Sequence, residues 1–139
     1  MSSTRETTFV DTSGFYALLA GGDAGHANAV RLLDKAASAR DRFVTTDYVL
    51  DETATLLKTR GGGRVLPEFF RIVLESAVCR VEWIDEERFL TARDFFVKHM
   101  DHDYSFTDCV SFCIMRELKV RRALTSDAHF REAGFETLL

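Results

Sequence analysis

The stretch Thr7-Thr8-Phe9-Val10-Asp11-Thr12-Ser13-Gly14 decides the fold. Its first four residues form a short β-type run that stops at an acid. Thr12-Ser13-Gly14 then brings capping and turn chemistry before the apolar segment Phe15–Ala20. A short strand passing straight into helical sequence is the opening of an α/β pattern, and the rest of the chain repeats it.

Gly21-Gly22-Asp23 breaks the first helical segment. Ala24–Ala39 is expected to be a helix, with Ala29, Leu32, Leu33 and Ala36 at helical spacing. Arg42–Thr45 reads as a second strand, and Asp47 as the cap of a helix running to about Arg60. That helix ends at Gly61-Gly62-Gly63, and Pro67 suits the first turn of the next. Cys79–Ile84 alternates as a strand with Val81 and Trp83 facing one way. Asp85-Glu86-Glu87 opens a further helix, where acids complement the dipole. Another helix is expected over about Phe106–Leu118, then strands at Arg122–Thr125 and Phe135–Leu138. Short strands separated by helices predict an α/β sandwich with a mainly parallel sheet.

Length and composition agree with one domain of 139 residues, with no internal repeat and no linker. Hydrophobic residues at 46% and charged residues at 29% exclude a disordered tail or a fibrous repeat. The formal charge of −4 excludes a broad basic face for nucleic acid, so an anionic substrate must meet a local basic patch or bound cations. The N-terminus carries no apolar stretch of signal-peptide type, and no run approaches the ~20 residues of a membrane span. A cytoplasmic protein without membrane partners is expected. Cys79, Cys109 and Cys113 are read as packing residues in a reducing compartment.

Ligands of open α/β sheets bind beyond the carboxyl ends of the strands. Asp11 and Asp127 follow two expected strands, and Glu52 and Asp108 lie in the first turns of two helices with apolar flanks. If those helix ends point to the same sheet edge, four carboxylates converge. Such a cluster is unstable alone, because like charges raise one another's pKa, and a hard divalent cation removes the repulsion. Each acid also has a structural reading. Ser105-x-x-Asp108 matches a capping box, Asp11 and Asp127 suit N-caps, and Glu52 suits a solvated helix face.

Four segments carry a family resemblance: Phe9-Val10-Asp11-Thr12-Ser13, Thr45-Thr46-Asp47-Tyr48-Val49-Leu50-Asp51-Glu52, Tyr104-Ser105-Phe106-Thr107-Asp108-Cys109 and Thr125-Ser126-Asp127-Ala128-His129-Phe130. In order and spacing they resemble a PIN-domain ribonuclease, specifically the VapC-type toxins of prokaryotic toxin–antitoxin pairs. The resemblance implies a three-layer α/β/α sandwich over nearly the whole chain, with residues 1–8 as an N-terminal extension. It implies Mg²⁺- or Mn²⁺-dependent endonucleolytic cleavage of RNA with one or two ions per site. Asp11, Glu52, Asp108 and Asp127 would form the acidic quartet, with Asp11 and Asp108 as metal ligands and Glu52 and Asp127 acting directly or through water. A homodimer and a small antitoxin partner are also implied.

Supporting candidates are Thr12, Ser13, Thr107 and Asp103. Lys58, Arg60 and Arg64 flank the triple glycine and are candidate RNA contacts, as are Arg121 and Arg122. His99 and His102 with Asp101 and Asp103 are read as a solvated loop, His129 as a packing or hydrogen-bonding residue, and Asp51 as facing away from the quartet. A phosphatase-type site would want a second acid where Ser13 stands. Alternatives of nearer kind are a housekeeping RNA-processing nuclease and a PIN-fold binding module with little catalysis.

Overall fold

The structure, a computed structural model, describes residues 6–139. The elements run β1 (Thr7–Val10), α1 (Thr12–Leu19), α2 (His26–Ser38), β2 (Arg42–Thr46), α3 (Asp47–Thr59), a 3₁₀ turn (Gly63–Val65), α4 (Leu66–Glu75), β3 (Cys79–Glu82), α5 (Glu86–Lys98), α6 (Phe106–Glu117), β4 (Arg122–Leu124), α7 (Ala128–Glu132) and β5 (Glu136–Thr137). Of the segment 1–8 expected as an extension, residues 1–5 lie outside the described residues, while Thr7 and Thr8 are paired in β1.

All five strands are parallel, in the order β3-β2-β1-β4-β5, with helices flanking the sheet. The chain builds outward from β1 to β3, then resumes on the other side with β4 and β5. The order therefore reverses between β1 and β4, the place where open α/β sheets form their crevice. β1 is the central strand, and Thr8, Phe9 and Val10 are all buried. Thr45 on β2 donates its hydroxyl to the Val10 carbonyl at 2.8 Å, so a polar side chain is satisfied inside the sheet.

Aromatic rings tie parts of the core together. Phe112 meets Phe130 edge-on at 5.0 Å, and Phe130 lies 6.3 Å from Phe9. Tyr104 meets Phe112 edge-on at 5.0 Å. These contacts lock α6 and α7 over β1, each edge-on pair adding about 1 kcal/mol beyond simple burial.

Several expectations change in detail. α1 begins at Thr12, so Gly14 lies inside the helix and its amide donates to the Asp11 carboxylate at 2.9 Å. The cap of α3 is Thr46 and not Asp47, because the Thr46 hydroxyl accepts from Val49 N–H. Asp47 instead accepts the Ile84 amide at 3.0 Å and ties α3 to the segment after β3. Trp83 lies beyond β3 and is 62% exposed, so the alternation of Val81 with Trp83 is not continued in the sheet. α7 was not expected: it is one short turn capped by Asp127, too brief to show helical periodicity. Cys109 is buried and Cys79 and Cys113 are half-buried free thiols. Burial pushes all three thiols up, which keeps them as inert packing groups.

Candidate active site

Asp11 is the N-cap of α1, one residue beyond β1. It is 6% exposed, and three donors hold it. Ser13 Oγ and Gly14 N–H reach Oδ1 at 2.8 and 2.9 Å, and Thr125 Oγ1 reaches Oδ2 at 2.8 Å. Those hydroxyls are themselves oriented from the β4 side. Ser126 N–H donates to Ser13 Oγ at 3.0 Å, and Asp127 N–H donates to Thr125 Oγ1 at 2.9 Å. Both hydroxyl protons therefore point at Asp11. Even so, burial pushes the Asp11 carboxyl up to about 6, against the lowering effect of Gly14, Thr125 and Ser13, and the charge of Asp127 adds to the rise.

Asp127 caps α7 by accepting from His129 N–H at 2.9 Å. Asp108 closes a capping box with Ser105 at the start of α6. Its carboxyl is raised, first by burial and then by Asp127, against the Ser105 amide and His129. One carboxylate oxygen each from Asp108 and Asp127 and a ring nitrogen of His129 lie within 4.8 Å of one another. The capping and cluster readings thus hold together: Asp127 Oδ1 and Asp108 Oδ2 each accept a capping amide and also face the His129 ring.

A cleft of about 260 Å³ joins these groups, lined by Asp11, Glu52, Asp108 and Asp127. Glu52, expected in the first turn of its helix, lies in the second turn of α3, where it is exposed and lines the cleft. Thr12, Ser13 and Thr107 line it, and so does Arg60. The Arg60 guanidinium lies over the Tyr16 ring at 5.1 Å. Asp23, Tyr16 and Ser111 also line the cleft and were not anticipated. Thr125 was missed as well, since nothing in a threonine just past a strand announces a partner 114 residues away.

Other candidates fall elsewhere. Lys58, Arg64 and Asp103 are exposed and do not line the cleft, and neither does Asp51. Arg122 lies outside the cleft, donates to Thr8 and pairs with Asp41 at 3.2 Å. Arg121 is exposed, outside the cleft. His99 stacks on Phe95 at 4.0 Å and His102 on Tyr104 at 4.7 Å, so these two rings pack on aromatics rather than joining the neighbouring acids.

A divalent cation fits this chemistry. The donors are carboxylates and hydroxyls, the set preferred by hard ions. Asp11 Oδ2 accepts one hydrogen bond and keeps a lone pair. Thr12 Oγ1 and Ser111 Oγ are buried on the cleft wall with no protein partner.

The fold and the cleft define a PIN domain: a family model of that description matches residues 8–136, and the chain belongs to that family. Within it the chain is of VapC type. It is 40% identical over 127 residues to the 23S rRNA-specific endonuclease VapC20 of Mycobacterium tuberculosis, covering 91% of this chain and 94% of the relative. A VapC ribonuclease of Archaeoglobus fulgidus is 29% identical over 125 residues, covering 87% and 77%. The crystal structure of Mycobacterium tuberculosis VapC20, described as a sarcin–ricin loop cleaving toxin, superposes with a TM-score of 0.83 over 92% of this chain and 95% of that one. FitAcB from Neisseria gonorrhoeae shares the fold at a TM-score of 0.65 and 14% identity, covering 95% and 96%. The sheet is wholly parallel where a mainly parallel one was expected.

Proposed function

We propose that the chain is a metal-dependent endoribonuclease and the toxin of a toxin–antitoxin pair, cleaving the sarcin–ricin loop of 23S rRNA in the cytoplasm. The observation that carries this reading is the cleft itself, where Asp11, Glu52, Asp108 and Asp127 meet from four separate elements. The kinship with VapC20 supports the target. Among the described residues no helix is long and apolar enough to cross a membrane.

Asp11 and Asp108 are the proposed holders of Mg²⁺ or Mn²⁺, with Glu52 and Asp127 completing the site directly or through water. A divalent ion there lowers the pKa of a water and offsets charge developing on the phosphoryl oxygens. The protein's part is to hold Asp11 rigidly through Ser13, Gly14 and Thr125, so that little reorganisation is needed at reaction. Arg60, stacked on Tyr16, is placed to bind an RNA phosphate at the cleft edge. Arg60→Ala is expected to raise KM about tenfold with kcat within about threefold, since a phosphate contact away from the reacting bond acts on binding. A lowered kcat at unchanged KM would remove Arg60 from that role.

The reading is tested by incubating the purified chain with 23S rRNA and sequencing the new ends, using Asp11→Asn as control. Cleavage in the sarcin–ricin loop that needs Asp11 is expected. Cuts elsewhere would keep the nuclease and change the target, and no cleavage with Mg²⁺ or Mn²⁺ would sink both. Toxin status predicts a short neighbouring reading frame whose product blocks the cleavage.

Metal loading should depend on pH in a definite direction. Unfolded, Asp11 titrates near 3.8, and folding raises it to about 6. The native state holds the proton more tightly, so the stability that proton contributes is complete below about pH 4 and is lost as pH rises through about 6. A cation needs the deprotonated group and so competes with the proton. The rise in Tm on adding Mg²⁺ is expected to be small at pH 5 and full at pH ~7.5. Equal rises at both values would mean that Asp11 is not a ligand.

A homodimer is proposed through α5 and its neighbours. Phe89, Phe96, Val97 and Met100 are exposed there, and Phe89 and Phe96 pack on Phe106, which also touches Tyr48. Such a patch on a small protein marks an interface. Sedimentation at monomer mass at micromolar concentration would refute it.

A further inference from the structure

We propose that His129 is a nitrogen donor of the cation site, acting with Asp108 and Asp127, and that this donor makes the centre favour Mn²⁺ over Mg²⁺. The inference rests on the metal-dependent reading above and adds a residue and a selectivity to it.

The geometry of α7 sets up the contact. Asp127 caps the helix, and the His129 ring turns back across the helix start. Its Nδ1 lies 3.2 Å from Asp127 Oδ1 and 3.4 Å from Asp108 Oδ2. Tyr104 stands edge-on against the ring at 5.6 Å and limits where it can turn. Nδ1 is buried, yet it makes no hydrogen bond in the protein. A charge-assisted N–H to carboxylate bond is usually about 2.7–2.9 Å, shorter than either separation. The ring is therefore aimed at two acids, within ion-pair range of both and hydrogen-bonded to neither.

The spacing suits coordination better. Donors at adjacent corners of an octahedron with bonds of 2.0–2.1 Å lie roughly 3 Å apart. Both His129 separations are slightly longer than this and need only a small inward adjustment. A second feature points to a ligand independently of the acids. Ser111 and Thr12 are 1% and 8% exposed, and their hydroxyl oxygens have no protein partner on the wall of the cleft that Asp108 and Asp127 line. A hydrated cation would satisfy such oxygens through its waters. An all-oxygen shell suits Mg²⁺, while an imidazole in the shell suits transition ions, and Mn²⁺ is the one among them that also accepts carboxylates and water readily.

The test uses the full chain, stripped of metal and titrated with MnCl₂ or MgCl₂ by calorimetry. Pulsed EPR of the Mn²⁺-loaded protein reports nitrogen coupling directly. Wild type is expected to bind Mn²⁺ about tenfold or more tightly than Mg²⁺ and to show ¹⁴N modulation. In His129→Gln the modulation should vanish and Mn²⁺ affinity fall about tenfold, with Mg²⁺ affinity within about threefold. Mn²⁺ bound to wild type without ¹⁴N modulation would overturn the role of His129 and leave the nuclease reading standing. Failure of wild type to bind either ion would overturn both. The wild-type spectrum decides the matter even if the variant does not fold.

Discussion

Asp11→Asn is expected to lower RNA cleavage by on the order of 10³-fold or more while leaving the protein folded and more heat-stable at neutral pH. The two effects have one cause. Asp11 is buried, and its rise from 3.8 to about 6 corresponds to roughly 3 kcal/mol set against the charged form. The amide removes that charge. Its oxygen still accepts from Ser13 and Gly14, and Thr125 can turn its hydroxyl to accept from the new NH₂. A melting temperature a few degrees higher at pH ~7.5 is expected, with the gain shrinking towards pH 4, where Asp11 is itself neutral. Metal affinity should fall in parallel, because a proposed ligand has been removed. Cleavage at wild-type rate by a pure, metal-loaded Asp11→Asn protein would dismiss Asp11 from the chemistry. A variant that melts lower would show that the charge is stabilised by more than its three donors.

Gly14→Ala carries the largest expected loss of stability. A Cβ built on Gly14 would lie 2.1 Å from the Leu124 carbonyl oxygen and 3.1 Å from Val10 Cγ1. The first obstacle is backbone of β4, so no rotamer change relieves it. α1 must move off β4, and the Gly14 amide that holds Asp11 moves with it. The cost is expected at the upper end of overpacking, about 3 kcal/mol, which lowers Tm by roughly 10 °C in a domain of this size. Activity should fall further than stability alone explains, because the bridge from Ser13 to Ser126 spans the same junction. Gly21→Ala is the control: no atom lies within 4 Å of its added Cβ. Thermal melts of both variants, with cleavage measured well below Tm, check the prediction. A Gly14→Ala protein with wild-type Tm would mean that α1 and β4 are not held this closely.

Much of this molecule follows from local sequence. The uncharged run Thr7–Val10, the helical spacing from Val49 to Leu57 and the acids of Asp85-Glu86-Glu87 each act within a few residues, so their consequences are visible in the chain. Asp11, Asp108 and Asp127 could be singled out because each stands just past a strand or in a helix's first turn, whereas Glu52, expected in a first turn, lies in the second turn of α3. Element edges were less legible where one side chain chooses between partners. Thr46 took the cap expected of Asp47 because Asp47 had a better use, 37 residues away at Ile84.

What the sequence by itself determined was a set of strands and helices and the acids at their ends. Only the tertiary structure decided that β4 lies beside β1, so that Thr125 and Asp11 meet across 114 residues. Tertiary packing likewise sets His129 near Asp108 and Ser111 and Asp23 on the cleft wall. The physical reason is that helix and strand periodicity records which face a residue turns towards the core, a local property of the backbone. Which distant side chain it finds there depends on strand order, and strand order is settled by packing across the whole sheet.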